Sequence, residues 1–430
     1  MPLVGHPRVL TRGVLRVIGS ALAVLGATAE PGSAQDQAAA TAPAAAVQFR
    51  MGEHPTIQIG SDLEIVLRAR IESALRTGSP AVDDAVEADW RRRRVQVEGS
   101  FKRLEFEFSH EFGDPVEPER DAFVNLRLAR PLQVQAGRFK VPFGRDALKS
   151  GANLDFVFRS LLGRILAPGR DVGVMAHGRL NRTVSYQAGY FTRDGDNARS
   201  AQGAGGDDSL AGRVELTPFA GRNGSAVEPL EIGLAFTRSH ADDVLGFRGY
   251  TVFGDTVFFD RVFVNGPRRR LGVDMAWLLG PASVTAEFAD TTDHRNGMGA
   301  VGEDLPAIGA TAWYVSGSWV LTGERKRARV EPRRSVMDGG FGAVEVAARL
   351  ERLSFETVVY PGGVTHGPNP RDLEANGEWV TTFAVSWFPH TRVKVQGNLV
   401  IESVDDPSRS PAPRGNGRFT SGIVNFQFVL

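Results

Sequence analysis

The chain has 430 residues, 42% of them apolar and 23% charged, with 50 basic side chains against 50 acidic. It is too apolar to be disordered, and its charge balance argues against a general polyanion binder such as a nucleic-acid-binding protein. No cysteine occurs, which removes disulfides, thiolate metal sites and Cys nucleophiles together. Only five of the basic residues are Lys, at 102, 140, 149, 326 and 394, so Arg supplies almost all the positive charge. A GC-rich genome would produce that bias by itself, and where the Arg sit must decide whether they do chemistry.

Residues 1–34 read as an export signal. Arg8, Arg12 and Arg16 form a positive start, Val17 to Ala29 is apolar, and Gly32-Ser33-Ala34 supplies small residues for cleavage before Gln35. The apolar stretch is shorter than the roughly 20 residues of a spanning helix. Residues 35–55, with the run Ala38 to Ala46, read as a flexible Ala-rich lead-in. From residue 56 to 430 the dominant signal is strict alternation, the period of a strand whose two faces meet different environments. Leu104, Phe106 and Phe108 alternate with Glu105, Glu107 and Ser109; Val424, Phe426, Phe428 and Leu430 alternate with Asn425 and Gln427. The best helical candidate is a short piece near Arg145 to Ser150.

Such runs predict about sixteen strands: 57–71, 90–99, 101–110, 121–129, 131–139, 171–180, 182–192, 210–218, 229–238, 269–279, 281–290, 310–321, 341–351, 378–388, 391–402 and 418–429. Most are near the roughly 9–11 residues that a tilted strand needs to cross a bilayer. Tight turns such as Gly280-Pro281 and Pro389-His390 alternate with long connections, among them 140–170 and 239–268. Short turns on one rim and long loops on the other describe an outer-membrane barrel with both termini in the periplasm. A soluble sandwich or a solenoid would bury one face in a core instead, and no repeat of fixed length supports a solenoid. The expectation is an all-β transmembrane antiparallel barrel of about sixteen strands with inward-folded loops. Aromatics near strand ends, Trp90, Tyr190, Phe219, Trp277, Trp313, Trp319 and Trp379, suit its interfacial girdles.

At these residues a family resemblance emerges. Arg92-Arg93-Arg94-Val95-Gln96-Val97-Glu98-Gly99 resembles an early strand of the phosphate-selective porin O and P family of Gram-negative outer membranes. Asp121 to Val124 and Val134 to Phe143 are similar to its next block, and Leu148-Lys149-Ser150 through Phe158-Arg159-Ser160-Leu161 to its constriction segment. Ala167 to Val174, Tyr186 to Phe191 and Gly323-Glu324-Arg325 continue the likeness. The resemblance implies a sixteen-stranded homotrimer whose inward loops present Arg and Lys to phosphate or polyphosphate, without chemistry on the substrate. It departs from the family in ending on Leu430 rather than an aromatic, and in its scarcity of Lys beyond Lys140 and Lys326.

Phase along each strand then sorts the Arg. Val95 and Val97 toward lipid place Arg92 and Arg94 inward, with Arg91 and Arg93 on the lipid phase near an interface. By the same test Arg127, Arg268, Arg270, Arg349, Arg392 and Lys394 face inward, but so do Glu105, Glu107, Glu287 and Glu345. The connection 140–170 is the candidate constriction loop: Lys140, Arg145, Lys149, Arg159, Arg164 and Arg170 outnumber Asp146 and Asp155, which would make a positive collar. A second basic stretch, Arg325 to Arg334 with Lys326, is expected to fold into the pore from the rim of short turns.

Catalytic readings are poor. No H-E-x-x-H and no G-x-S-x-G occurs, and Asp194-Gly195-Asp196-Asn197 lacks the remaining ligands of a calcium loop and reads as a turn. No catalytic residue, metal or cofactor is expected. The partners expected are phosphate or other small anions, outer-membrane lipid and lipopolysaccharide, and no nucleic acid. The expected function is passive anion uptake through a water-filled channel. The rival readings are a general or carboxylate-accepting porin and, from another class, an outer-membrane barrel hydrolase.

Overall fold

The protein is described from a computed structural model, over residues 47–52, 54–78, 86–114, 118–195, 208–253, 256–356, 373–409 and 417–430. The export segment and the lead-in as far as residue 46 lie outside the described residues. Strands β1 (Val47–Met51), β2 (Pro55–Ile59), β3 (Leu63–Thr77), β4 (Glu87–Phe101), β5 (Leu104–Glu111), β6 (Glu119–Ala129) and β7 (Leu132–Lys140) come first. A one-turn helix α1 (Arg145–Leu148) and a π-type turn at Leu162–Leu166 follow. Next are β8 (Arg170–Arg179), β9 (Val184–Phe191), β10 (Ser209–Leu216), β11 (Leu230–Leu245), β12 (Gly249–Tyr250), β13 (Val257–Phe259) and β14 (Phe263–Leu279). The last are β15 (Ala282–Arg295), β16 (Leu305–Val320), β17 (Ala343–Glu356), β18 (Asn376–His390), β19 (Val393–Val404) and β20 (Arg418–Val429).

From β3 to β20, with β12 and β13 set aside, each strand pairs antiparallel with the next, and β20 returns to β3. Gly422 lies opposite Thr77 and Val429 opposite Arg70, which closes a sixteen-stranded barrel. Closure leaves no strand edge in hydrocarbon, where each unpaired backbone group would cost several kcal/mol. Turns of two residues join β4 to β5, β6 to β7, β14 to β15 and β18 to β19 on one rim. On the same rim β3 begins and β20 ends.

All sixteen expected segments are strands, with one division the alternation could not resolve. The stretch 57–71 is two strands, because Gly60 at φ 62° turns the chain with Ser61 and Asp62. Ile57 and Ile59 of β2 lie opposite Ile65 and Leu63 of β3, so the apolar phase continues across that turn. The lead-in also ends earlier than residue 55, since β1 pairs with β2 from Val47. Several strands run further toward the long loops than expected; β14 starts at Phe263 because the polar Arg268, Arg269 and Arg270 still pair with β15.

The faces are inverted relative to a water-soluble sheet. Leu271, Val273, Phe383 and Val385 point outward and are exposed, while the alternate Arg270, Asp274 and Thr382 are buried inside. A sandwich would bury the apolar face; Phe383 at 49% exposed rules that out. All six Trp lie on the outward phase, Trp277, Trp319 and Trp387 toward the short-turn rim and Trp90, Trp313 and Trp379 toward the other. From Trp379 to Trp387 is about 26 Å of strand, or about 20 Å of height at a tilt near 40°. That matches an aromatic-flanked apolar band. Phe383→Arg, midway between those two Trp, is expected to destabilise the barrel by about 2–4 kcal/mol, read as the urea midpoint of refolding into bilayers.

Candidate pore constriction

The connection between β7 and β8 leaves the rim and lies across the lumen. Gly144 permits the first bend: it sits at φ 77°, and a Cβ there would fall 2.9 Å from Glu287 Oε1. The next residues are tied to one wall in succession. Arg145 donates to Asp274 at 2.8 Å, to Glu231 at 2.8 Å and to Glu215 at 3.4 Å, reaching β14, β11 and β10. The Asp146 amide donates to Glu287 of β15 at 3.1 Å. Further along, Gln427 donates to the Ala152 carbonyl, Lys394 to Leu154, and Gln396 to Asp155, at 3.0, 2.9 and 2.7 Å. The Leu161 amide donates to Glu351 at 2.7 Å. Phe143, Leu161, Leu162, Ile165 and Leu166 are buried in an apolar cluster against this half of the barrel.

The connection between β11 and β14 folds inward as well. Phe259 stacks on Phe355 with ring centroids 4.1 Å apart, and Val252 is held from both sides. Its amide donates to Glu402 at 2.5 Å and its carbonyl accepts from Arg164. From the opposite rim Lys326 enters the lumen and is bonded to Asp155 at 2.6 Å and to Glu345. The second basic stretch thus meets the constriction loop from below. Under the loop lies a cavity of about 710 Å³ whose basic lining includes Arg130, Lys149, Arg179, Arg213 and Arg327.

The eleven expected lumen residues separate by what they touch. Arg268 and Arg270 do not face open solution. Arg268 chelates Asp293 at 2.5 and 2.6 Å, and both arginines close on Asp194, at 2.7 Å and 2.6 Å. Arg349 is held by Glu351 at 2.9 Å and donates to the Phe158 carbonyl at 3.2 Å. Arg159 and Arg164 point inward, yet their guanidiniums bind backbone carbonyls, Asp146 and Lys149 for Arg159 and Val252 for Arg164. Lys140 likewise donates to the Leu148 and Lys149 carbonyls, each at 2.9 Å. Arg127 pairs with Glu105 at 3.2 Å near the short-turn mouth. Lys326 is the turn anchor already described. Much of the expected collar therefore holds the loop in place.

Three residues, Arg92, Arg94 and Arg170, remain on a distinct patch, which Arg159 and Lys140 adjoin. Arg170 grips Asp121 at 3.0 and 2.9 Å, and Arg94 reaches Glu111 at 3.3 Å. Among the described residues Arg92, at 30% side-chain exposure, has only Glu72 at 3.7 Å and Glu111 at 3.8 Å as ion-pair partners. Arg159 stands in the repulsive field of Arg92 and Arg170, and Lys140 in that of Arg159, Arg170 and Arg94. Burial first, and that repulsion second, pull the Arg159 guanidinium below its ordinary pKa, although Asp146 opposes the shift.

Three residues were misplaced or passed over in the sequence. Arg91 was expected at the interface, but Glu72 pairs with Arg92 and Ser73 with Trp90, so Arg91 is the extra residue of a bulge. Its side chain turns inward to Glu72 at 3.7 Å and lies over the Phe158 ring. Asp194 read as part of a turn and is instead the buried hub of the Arg268–Arg270 pair. Burial alone would raise its pKa, but the two arginines outweigh it and hold the carboxylate ionised. Asp274, passed over as an ordinary lumen residue, bridges Arg145 and Arg213. No local spacing signals these partners, which are 74 to 129 residues apart in two of the bonds.

Two tests follow from these pairings. Asp194→Ala strips the buried Arg270 guanidinium of its carboxylate and leaves Arg268 with Asp293 alone; it is expected to cost about 3–5 kcal/mol, measured by denaturant unfolding in detergent. For the turn anchor, burial pushes the Asp155 carboxyl up, but Lys149 and Lys326 outweigh it and hold it below the usual carboxylate range. A depressed folded pKa stabilises fully above the ordinary aspartate value of about 3.9, and that stabilisation is lost as pH falls through the folded value. Open-channel noise should therefore stay flat from neutral pH down to about pH 4, and Lys326→Ala should move its rise to higher pH.

The family model for phosphate-selective porin O and P matches residues 70–416. The trimer form of in-vitro folded OmpT from Vibrio cholerae is 11% identical at a TM-score of 0.54, covering 86% of this chain and 100% of that one. The outer membrane channel DcaP of Acinetobacter baumannii is 8% identical at 0.55, covering 86% and 98%. An anion-selective porin from Comamonas acidovorans is 14% identical at 0.52, covering 86% and 100%. At such identities these structures share the fold alone. No protein of curated function matches the chain. A closed barrel with an inverted face pattern, inward loops and a family match over most of its length leads to one assignment: the chain belongs to the phosphate-selective porin O and P family and forms an outer-membrane channel.

Proposed function

We propose that the channel passes phosphate and other small anions passively, with selectivity set on the patch formed by β4, β7, β8 and the constriction loop. The observation that carries this reading is the charge count there. Arg70, Arg91, Arg92, Arg94, Lys140, Arg159 and Arg170 stand against Glu72, Glu107, Glu111 and Asp121, with Asp146 at the edge. The remaining positive field suits an anion that has shed part of its hydration. Arg serves this well, because it stays protonated and meets phosphate oxygens with two parallel hydrogen bonds. Partial pairing keeps binding weak enough for release.

The cavity below the loop extends the same field toward the short-turn rim, which we assign to the periplasmic side. The likeness to the anion-selective porin from Comamonas acidovorans and to the trimer form of the Vibrio cholerae protein supports anion preference and a homotrimer here. The mature chain then follows removal of residues 1–34, in a Gram-negative-type outer membrane.

Planar-bilayer reversal potentials are expected to show anions favoured over cations, with phosphate reducing chloride conductance in a saturable way. Arg92→Gln, which breaks no contact shorter than 3.7 Å, is expected to weaken the phosphate effect by several-fold, roughly one charge-assisted hydrogen bond, while unheated gel mobility stays native. An unchanged phosphate titration would favour the general porin reading, and cation preference would end the anion reading.

A further inference from the structure

The connection between β16 and β17 runs from 321 to 342 on a rim where four other connections take two residues. Its first arm enters the lumen through Lys326. Its second arm, from Arg333 to Phe341, lies against the outside of the barrel. The Phe341 carbonyl accepts from Trp387 Nε1 at 2.8 Å, and the two rings lie 6.1 Å apart, on the outward face of β18. Met337 is 81% exposed, Phe341 68% and the neighbouring outward Trp319 57%. Phe341 and Trp319 sit in line with the aromatic girdle, at the edge of a bilayer rather than in bulk water, and Met337 is exposed four residues before Phe341.

The connection as a whole is basic, and the second arm carries two of its arginines. Residues 321–342 carry Arg325, Lys326, Arg327, Arg329, Arg333 and Arg334 against Glu324, Glu331 and Asp338. Glu324 is buried, accepting from the Arg333 amide at 3.3 Å and from the Thr322 hydroxyl. Asp338 accepts from the Ser335 hydroxyl at 2.5 Å. That leaves Glu331 as the one exposed acid of the connection outside such a bond. Arg334 donates Nε to the Asp338 carbonyl at 2.8 Å, and Arg333 donates to the Gly323 carbonyl at 2.5 Å. These bonds fix the Arg334 stem next to Met337 and tie the Arg333 stem to the start of the connection, while each guanidinium keeps further donors.

We infer that Arg333 and Arg334, with Met337, Phe341 and Trp319, form a docking site for the phosphodiester headgroup of an anionic glycerophospholipid in the leaflet at the short-turn rim. The inference rests on the proposed orientation of the barrel, with short turns toward the periplasm. The guanidiniums take the phosphate oxygens, and Met337 and Phe341 sit at the glycerol and acyl boundary. A free phosphate has no use for the apolar half of this surface. A soluble partner would not need it in register with outward Trp side chains.

The test uses the full mature chain in nanodiscs of phosphatidylcholine with a minor fraction of phosphatidylglycerol, and native mass spectrometry of retained lipid. The wild type is expected to retain phosphatidylglycerol preferentially, unaffected by millimolar inorganic phosphate. R333Q/R334Q should bind it roughly thirtyfold less tightly, at about fivefold for each basic residue near an anionic surface. M337S/F341S should weaken retention of both lipids, which separates the apolar half from the charged half. Unheated gel mobility and single-channel conductance confirm that each variant is folded. Equal retention of the two lipids by the wild type, unchanged retention in R333Q/R334Q, or displacement by inorganic phosphate would each overturn the site. A loss of anion preference in bilayers with lipid retention intact would overturn the pore assignment alone. Preferential retention of lipopolysaccharide over phosphatidylglycerol would overturn both the orientation and the site.

Discussion

Hydrocarbon offers no hydrogen bonds, and this single constraint organises the whole molecule. Every backbone N–H and C=O that crosses the bilayer must find its partner within the sheet. The sheet can satisfy that only by closing, which here is the return of β20 to β3. Closure fixes an outside, which must be apolar, and an inside, which has no apolar phase left to fill it. The interior is therefore built from charges and from loops that bring their own apolar side chains in with them.

That interior is a lattice of compensated ions rather than a coat of free positive charge. Asp194 joins Arg268 to Arg270, Asp274 joins Arg145 to Arg213, and Asp155 joins Lys149 to Lys326. Removing one partner of such a group exposes the full cost of a buried charge, which makes these pairs strong determinants of where the loops lie. A selective channel needs its field fixed in space, because an arginine that can move away from the ion stabilises nothing. The compensated pairs hold the constriction loop, and the under-compensated patch beside β4 is where we propose that the selective field lies. The two roles fall to the same residue type, and they differ only in whether a carboxylate is near enough to neutralise it.

The asymmetry of the rims has a similar logic. Two-residue turns keep one end of the barrel flush, so the one long basic connection there stands out, with one arm in the lumen and one against the outer wall. On our proposals, the same polarity, cation beside apolar surface, serves an aqueous anion on one side and a lipid headgroup on the other.

The sequence by itself determined that about sixteen strands cross, the alternation of faces, the two classes of connection and the short helical piece near Arg145. It could do so because a strand's faces are written in neighbouring residues, with a period of two. It also marked 140–170 as the candidate constriction loop, from its length, its charge and the family resemblance of Leu148 to Leu161. It could not see that Gly60 splits the first strand, because the apolar phase is the same on both sides of the turn. Nor could it tell which arginines are neutralised, since Arg268 meets Asp194 and Arg145 meets Asp274 across the barrel. A bulge of one residue turned Arg91 from lipid to lumen, against the phase that its neighbours obey. Face is a local property and survives in the one-dimensional record. Charge compensation depends on distances between remote strands, and only the closed barrel sets those.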